Sequence, residues 1–253
     1  MTAEVAPTLL LGAALAISLG AIGGAALPLL VRISARGHLI ILGFAAGVMF
    51  GAALLHMLPE AVRSMGLSAF PFTLGGFFAI LLLERFIPDH HPDDGHHHAA
   101  GEDHPEPLGL PTFLALSLHT LTDGLALGVA LEGGAVNVGV LAALVLHQIP
   151  ASISLCSILL GEGFTRARTM VMATVFALMV PAGALLYLGL RTVTDVHALA
   201  PRALAFSAGT FLHLALADLL PQVHRAPGLR RAGGVALALG VAAMWALRLG
   251  GID

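Results

Sequence analysis

The sequence predicts an all-α polytopic membrane protein, on three observations. Hydrophobic residues make up 57% of the chain and charged residues only 11%, where a soluble domain carries about 25% charged. Apolar runs long enough to cross a bilayer, about 20 residues each, recur from one end to the other. The polar residues inside those runs cluster: His119 and Asp123 stand four apart in one run, and His147, Gln148 and Pro150 stand together in the next.

Composition also narrows the class. Mean hydropathy is +0.91, so lipid rather than water is expected around most of the surface. Lys is absent, and the 12 basic residues are all Arg, dispersed along a chain of net charge −3. That leaves no basic footprint for nucleic acid. The single cysteine, Cys156, has no intrachain disulfide partner. The opening MTAEVAP has no basic n-region, so residues 1–31 read as a first spanning helix rather than a cleaved signal peptide.

Taken in order, about eight spans are expected, at roughly 8–31, 38–60, 67–87, 110–131, 135–160, 167–190, 199–221 and 229–249, in one transmembrane domain over 1–253. Small residues recur in the early spans: Gly12, Gly20, Gly23, Gly24, Gly43, Gly47, Gly51, Gly75 and Gly76. Small side chains let membrane helices approach closely, which suits a packed bundle. Orientation follows from Arg placement. With the N-terminus outside, Arg32, Arg36, Arg85, Arg166, Arg168, Arg225, Arg230 and Arg231 fall inside, against Arg63, Arg191, Arg202 and Arg248 outside. That bias favours both termini outside.

The third and fourth spans are joined by a polar loop at 88–107, cytoplasmic in this orientation. It carries His90, His91, His96, His97, His98 and His104 among acidic residues. Such a segment is expected to be a solvated loop that binds metal weakly. The second and seventh spans overlay without a gap, Phe44–Pro59 on Phe206–Pro221, with Phe, Ala, Gly, Ala, Leu, Leu and Pro coinciding. The fourth and fifth overlay with His119 on His147. Pairs 2/7 and 4/5 are what two inverted halves give, a 3+2+3 bundle with its ion site at the midplane interface.

The polar residues carry the chemistry. On a helix, His119 and Asp123 share one face. An intramembrane carboxylate beside a histidine marks a functional site, because lipid solvates neither. Pro150 removes a helical hydrogen bond next to His147, which either opens room for an ion or simply bends a packed helix; its place directly after two polar residues favours the first. Two neutral imidazoles and one carboxylate suit Zn²⁺ with an open position. Thr120, Gln148 and Ser152 are placed to hydrogen-bond such ligands from behind. His56, Glu60, His213 and Asp218 are candidates for an access path, or else interfacial residues reaching headgroups.

HTLTDGLALG (119–128) resembles the fourth-helix motif of the ZIP family of divalent metal transporters, and HQIPAS (147–152) resembles the fifth-helix motif. LLHMLPEA (54–61) and SAGTFLHLALADLLP (207–221) are similar to its second- and seventh-helix signatures. The resemblance implies a metal site between the fourth and fifth helices, with His119, Asp123 and His147 matching family ligands. It also implies that Met49 matches a second-helix Met that contacts the ion in some members. The chain departs from the motifs where members hold a second metal: Thr120, Gln148, Ala151 and Ser152 replace Asn, Glu, His and Glu. One carboxylate leaves one bound divalent ion with a formal surplus of about +1, and a second ion raises it to about +3, so one metal is expected.

The resulting expectation is a transporter of Zn²⁺ or another divalent metal, the ion being substrate, with no catalytic cofactor. The metal moves inward across the cell membrane, and the lipid bilayer is the other partner. The oligomeric state, a homodimer included, stays open, as does the choice of metal. A non-transporting metal sensor or degenerate relative is the second reading. An intramembrane zinc hydrolase is the third, and no His-Glu-x-x-His motif supports it.

Overall fold

The computed structural model describes residues 6–31, 34–86, 109–131, 138–225, 228 and 230–249. Among these the chain is helical, without strands. α1 is Pro7–Leu30. α2 (Ala35–Ala52) passes through a π turn (Ala53–Met57) into α3 (Leu58–Met65). A 3-10 turn (Gly66–Ser68) leads to α4 (Ala69–Phe86). α5 (Gly109–Ala130), α6 (Val138–Gly161) and α7 (Arg166–Leu190) follow. α8 (Val196–His213) passes through a second π turn (Leu214–Leu219) into α9 (Leu220–Arg225), and α10 is Arg230–Leu249.

Local chemistry sets these limits. Ser34 accepts a hydrogen bond from the Gly37 amide at 3.1 Å, opening α2. Thr165 accepts from the Arg168 amide at 3.3 Å, opening α7. Asp195 accepts from the Ala198 amide at 3.3 Å, opening α8. Each supplies an acceptor to an otherwise orphaned first-turn amide. The run from α2 to α4 breaks at Gly66, whose φ of +62° is open to glycine at little cost.

Among the described residues, six stretches are long and apolar enough to cross a membrane. The distribution of side chains agrees. Leu19, Leu82, Leu185, Leu239 and Trp245 lie exposed on helix faces, whereas His119, Asp123, Gln148, Ser207, His213 and Asp218 are buried. A water-soluble fold shows the reverse. Polar groups inside and apolar groups outside are what lipid demands. The chain is a multi-pass membrane protein.

Two packed helix pairs share one construction. α2 lies against α10, and α4 against α8. In the first pair, a Cβ on Gly47 would strike the Leu237 carbonyl, and one on Gly240 the Phe44 carbonyl. In the second, a Cβ on Gly209 would strike the Thr73 carbonyl, and one on Gly76 the Phe206 carbonyl. Small residues here let backbones touch, the main source of helix association in lipid. α5 is held to α7 in the same manner, with Gly183 against the Leu121 carbonyl and Gly124 against that of Val180. The main core cluster then forms between the pairs, from Leu42, Met49, Leu116, Leu155, Phe176, Phe211 and Leu214 among others.

Candidate metal centre

α5 carries His119 and Asp123 one helical turn apart, and α6 brings His147 across to them. His119 Nε2 lies 3.1 Å from Asp123 Oδ2. His147 Nε2 lies 3.2 Å from the same oxygen. One donor atom from each of the three residues thus lies within 4.8 Å of the others. The two imidazole rings are 5.7 Å apart, tilted by 55°. His119 and Asp123 are buried, and His147 is partly so.

The surroundings orient these groups. His119 Nδ1 is hydrogen-bonded to Ser207 Oγ on α8 at 2.6 Å. Phe211, one turn further on, lies against the His119 ring with centroids 3.8 Å apart. With Nδ1 engaged by Ser207, Nε2 is left to face Asp123. It is buried and makes no aligned hydrogen bond despite its closeness to Oδ2. A lone pair so held is what a metal ligand needs, because the bond at the far nitrogen fixes ring orientation and tautomer. Two imidazoles and a carboxylate suit Zn²⁺ and neighbouring divalent ions.

Gln148, one residue beyond His147, turns to Thr120. Its Nε2 donates to Thr120 Oγ1 at 3.1 Å, and its Oε1 is buried without a hydrogen-bond partner. Ser152 donates to the Ile149 carbonyl at 2.9 Å within its own helix, and its hydroxyl faces Gly24 of α1. α6 continues through Pro150 as one helix. Met49 is buried in the main core cluster.

A cavity of about 690 Å³ reaches this centre. His119, Asp123 and His147 line it, and so do Ser64, Ala130 and His197 at or near helix ends. Leu10 of α1 clusters with Leu127, Leu131 and Val196, so that mouth lies at the N-terminal end of α1. His56, Glu60, Arg63 and Arg248 also line the cavity. His56 Nε2 is 2.9 Å from the Met244 carbonyl oxygen, and Glu60 pairs with Arg63 at 3.1 Å. His213 and Asp218 are not on this path. They meet each other and Glu84 elsewhere in the bundle. The His-rich loop, His90 to His104, lies outside the described residues.

Sequence reasoning missed Glu84, Ser207 and Phe211. Glu84 had a visible signal, an acid near the end of the apolar run AILLLER. Ser207 and Phe211 had none, since each looks like packing.

Among the described residues, an all-helical bundle of a multi-pass membrane protein brings buried histidines and a carboxylate together at a cavity. A family model described as ZIP zinc transporter matches residues 8–111 and 107–248. The chain therefore belongs to the ZIP zinc transporter family. It is 35% identical over 161 residues to zinc transporter ZIP9 of Xenopus tropicalis, covering 58% of this chain and 50% of that protein. It is 34% identical over 189 residues to zinc transporter ZIP9-B of Xenopus laevis, covering 65% and 59%. Zinc transporter ZIP1 of Takifugu rubripes is 27% identical over 251 residues, covering 81% and 82%. The chain thus spans half to three-fifths of the length of these ZIP9 relatives.

Proposed function

We propose that this protein transports a divalent metal cation, Zn²⁺ foremost, through a site made by His119, Asp123 and His147. The observation that carries this reading is the convergence of two imidazole nitrogens on one carboxylate oxygen at the buried end of a cavity. Family membership and the named zinc transporters it resembles support the same cargo. The reaction breaks no covalent bond. The ion exchanges water for three protein donors, then leaves toward the opposite side.

The direction is inward. The Arg bias favours the N-terminus outside, and the cavity mouth lies at the N-terminal end of α1. The site then faces outside in this conformation, with the 88–107 loop and its histidines in the cytoplasm. Eight crossings support that arrangement. A helix over the 50 residues of Arg36–Arg85 would run about 75 Å, against about 30 Å of hydrocarbon, so the break at Gly66 makes two passes of it. Val138–Gly161 supplies one more.

A two-fold inverted repeat is supported by packing as well as sequence. When Phe44–Pro59 is laid on Phe206–Pro221, the π turn at Ala53–Met57 falls on the one at Leu214–Leu219. Gly47 falls on Gly209, and both meet a carbonyl of their partner helix. Phe44 falls on Phe206, whose carbonyls face Gly240 and Gly76. Met49 falls on Phe211, which lies against His119, itself overlaid on His147. The same relation supports Met49 beside His147 as the donor that completes the site, or water in its place. Alternating exposure by rocking of two such halves is the expected cycle.

Uptake of Zn²⁺ by proteoliposomes tests the reading. His119→Ala and Asp123→Ala are expected to reduce uptake to the protein-free background while the purified variants keep their helical content. Near-normal uptake by both folded variants would overturn it.

A further inference from the structure

A second set of donors lies away from the cavity. Glu84 near the end of α4, His213 at the end of α8 and Asp218 in the second π turn bring one imidazole and two carboxylates together within 4.8 Å. His213 Nε2 is 2.9 Å from Glu84 Oε2 and 3.8 Å from Asp218 Oδ1. His213 is fully buried and Asp218 is 6% exposed. Glu84 Oε1 and His213 Nδ1 are buried without hydrogen-bond partners. The His213 ring is fixed edge-on against Phe77, with centroids 4.9 Å apart.

The backbone is shaped to make this cluster. Asp218 stands five residues after His213. In a plain α-helix the residue facing His213 would be Ala217, four along. A π turn closes its hydrogen bonds over five residues, so it carries Asp218 toward the His213 face. The overlay of the two halves sharpens the point. Where Phe206–Pro221 is laid on Phe44–Pro59, the positions matching His213 and Asp218 hold Gly51 and His56. The bundle architecture alone therefore does not demand the cluster.

Its place relative to the first centre is set by α8. Ser207 touches His119, and the cavity lies along Ala200, Pro201 and Leu204, before Ser207. His213 comes six residues after it, about 9 Å further along the helix axis. Phe211, packed on His119, stands between them in the chain. Two carboxylates with one imidazole balance the formal charge of a divalent ion, which Asp123 alone does not. Without a cation, that much negative charge inside a bundle surrounded by lipid is costly.

We propose that Glu84, His213 and Asp218 form a second divalent-cation site, beyond Phe211 from the first, which receives the ion on the side away from the cavity. The receiving role rests on the transport reading above; binding itself does not.

Cd²⁺ is the probe, measured by equilibrium dialysis against purified full-length protein in detergent. Histidines of the 88–107 loop contribute equally to every variant, so differences between variants report the two sites. Glu84→Gln and Asp218→Asn are each expected to bind about one equivalent less than the unmodified protein, and Asp123→Asn to lose a separate equivalent. The triple variant then lacks both. Unchanged stoichiometry in Glu84→Gln and Asp218→Asn overturns the second site. Unchanged stoichiometry in Asp123→Asn strikes instead at the first. Should the variants fold poorly, anomalous scattering from unmodified protein crystallised with Cd²⁺ decides. A peak within bonding distance of His213 Nε2 supports the site, and its absence there overturns it.

Discussion

Gln148 Nε2 donates to Thr120 Oγ1 across 3.1 Å, with both residues fully buried beside the His119/Asp123/His147 centre. Here a neutral amide donates to a hydroxyl where charged or metal-binding groups would have to stand for a second ion. The first centre is thereby limited to one carboxylate. Gln148→Glu adds a second negative charge without changing side-chain length. We expect it to tighten divalent-metal binding by at least about tenfold, a gain of about 1.4 kcal/mol, and to allow a second ion. Cd²⁺ titration of the purified variant checks this. An unchanged affinity would show that charge does not limit the site.

At the proposed metal site, Ser207 would act through His119 rather than on the ion. Its hydroxyl holds Nδ1 at 2.6 Å, which leaves Nε2 facing Asp123. Ser207→Ala removes that hold and leaves His119 free to change tautomer. Loss of such a supporting bond lowers metal affinity by about 10–100-fold. The expected result is a weaker Kd with the same number of bound ions. Ser207→Thr, which keeps the hydroxyl, should retain most of the affinity. Equal loss in both variants would indicate a packing defect instead.

Much of this was legible in the sequence, for identifiable reasons. The helices stand within a few residues of the apolar runs, because lipid leaves backbone groups no partner but the helix itself. His119 and Asp123 were legible because a four-residue spacing converts directly into a shared face. The second cluster was not. Its geometry depends on a π turn that carries Asp218, five residues on, toward His213, and no residue type announces that spacing. Glu84 reads in the sequence as an acid near a helix end, and only the packing of α4 on α8 brings it to His213. Ser207 reads as one more small residue in a close-packed helix. The cavity follows from how several helices pack around it, which hydropathy does not encode.

The 88–107 segment lies outside the described residues, and its sequence alone bears on its part in the fold. Its composition, rich in His, Pro, Gly and acids, offers little apolar surface to bury. Deleting residues 89–106 is expected to leave the helical content and melting temperature unchanged and to retain Zn²⁺ uptake. Circular dichroism and the proteoliposome assay measure both. Complete loss of uptake in a folded deletion variant would assign the loop a direct part in transport.

The last prediction concerns the glycine contacts at the two helix pairs. Gly76 and Gly240 face the carbonyls of Phe206 and Phe44 so closely that a Cβ at either would overlap backbone, which cannot swing aside as a side chain can. Overpacking of this kind costs about 1–3 kcal/mol. Gly76→Ala and Gly240→Ala are therefore each expected to lower the melting temperature, and by similar amounts if the two pairs are equivalent by the repeat. Gly12→Ala is the control. A Cβ there meets nothing within 4 Å, and alanine favours helix by about 1 kcal/mol over glycine, so its melting temperature should hold or rise. Scanning fluorimetry of the three variants in one detergent makes the comparison. A marked drop for only one of Gly76→Ala and Gly240→Ala would argue against equivalent halves. A drop for neither would mean that the helix pairs sit further apart than described.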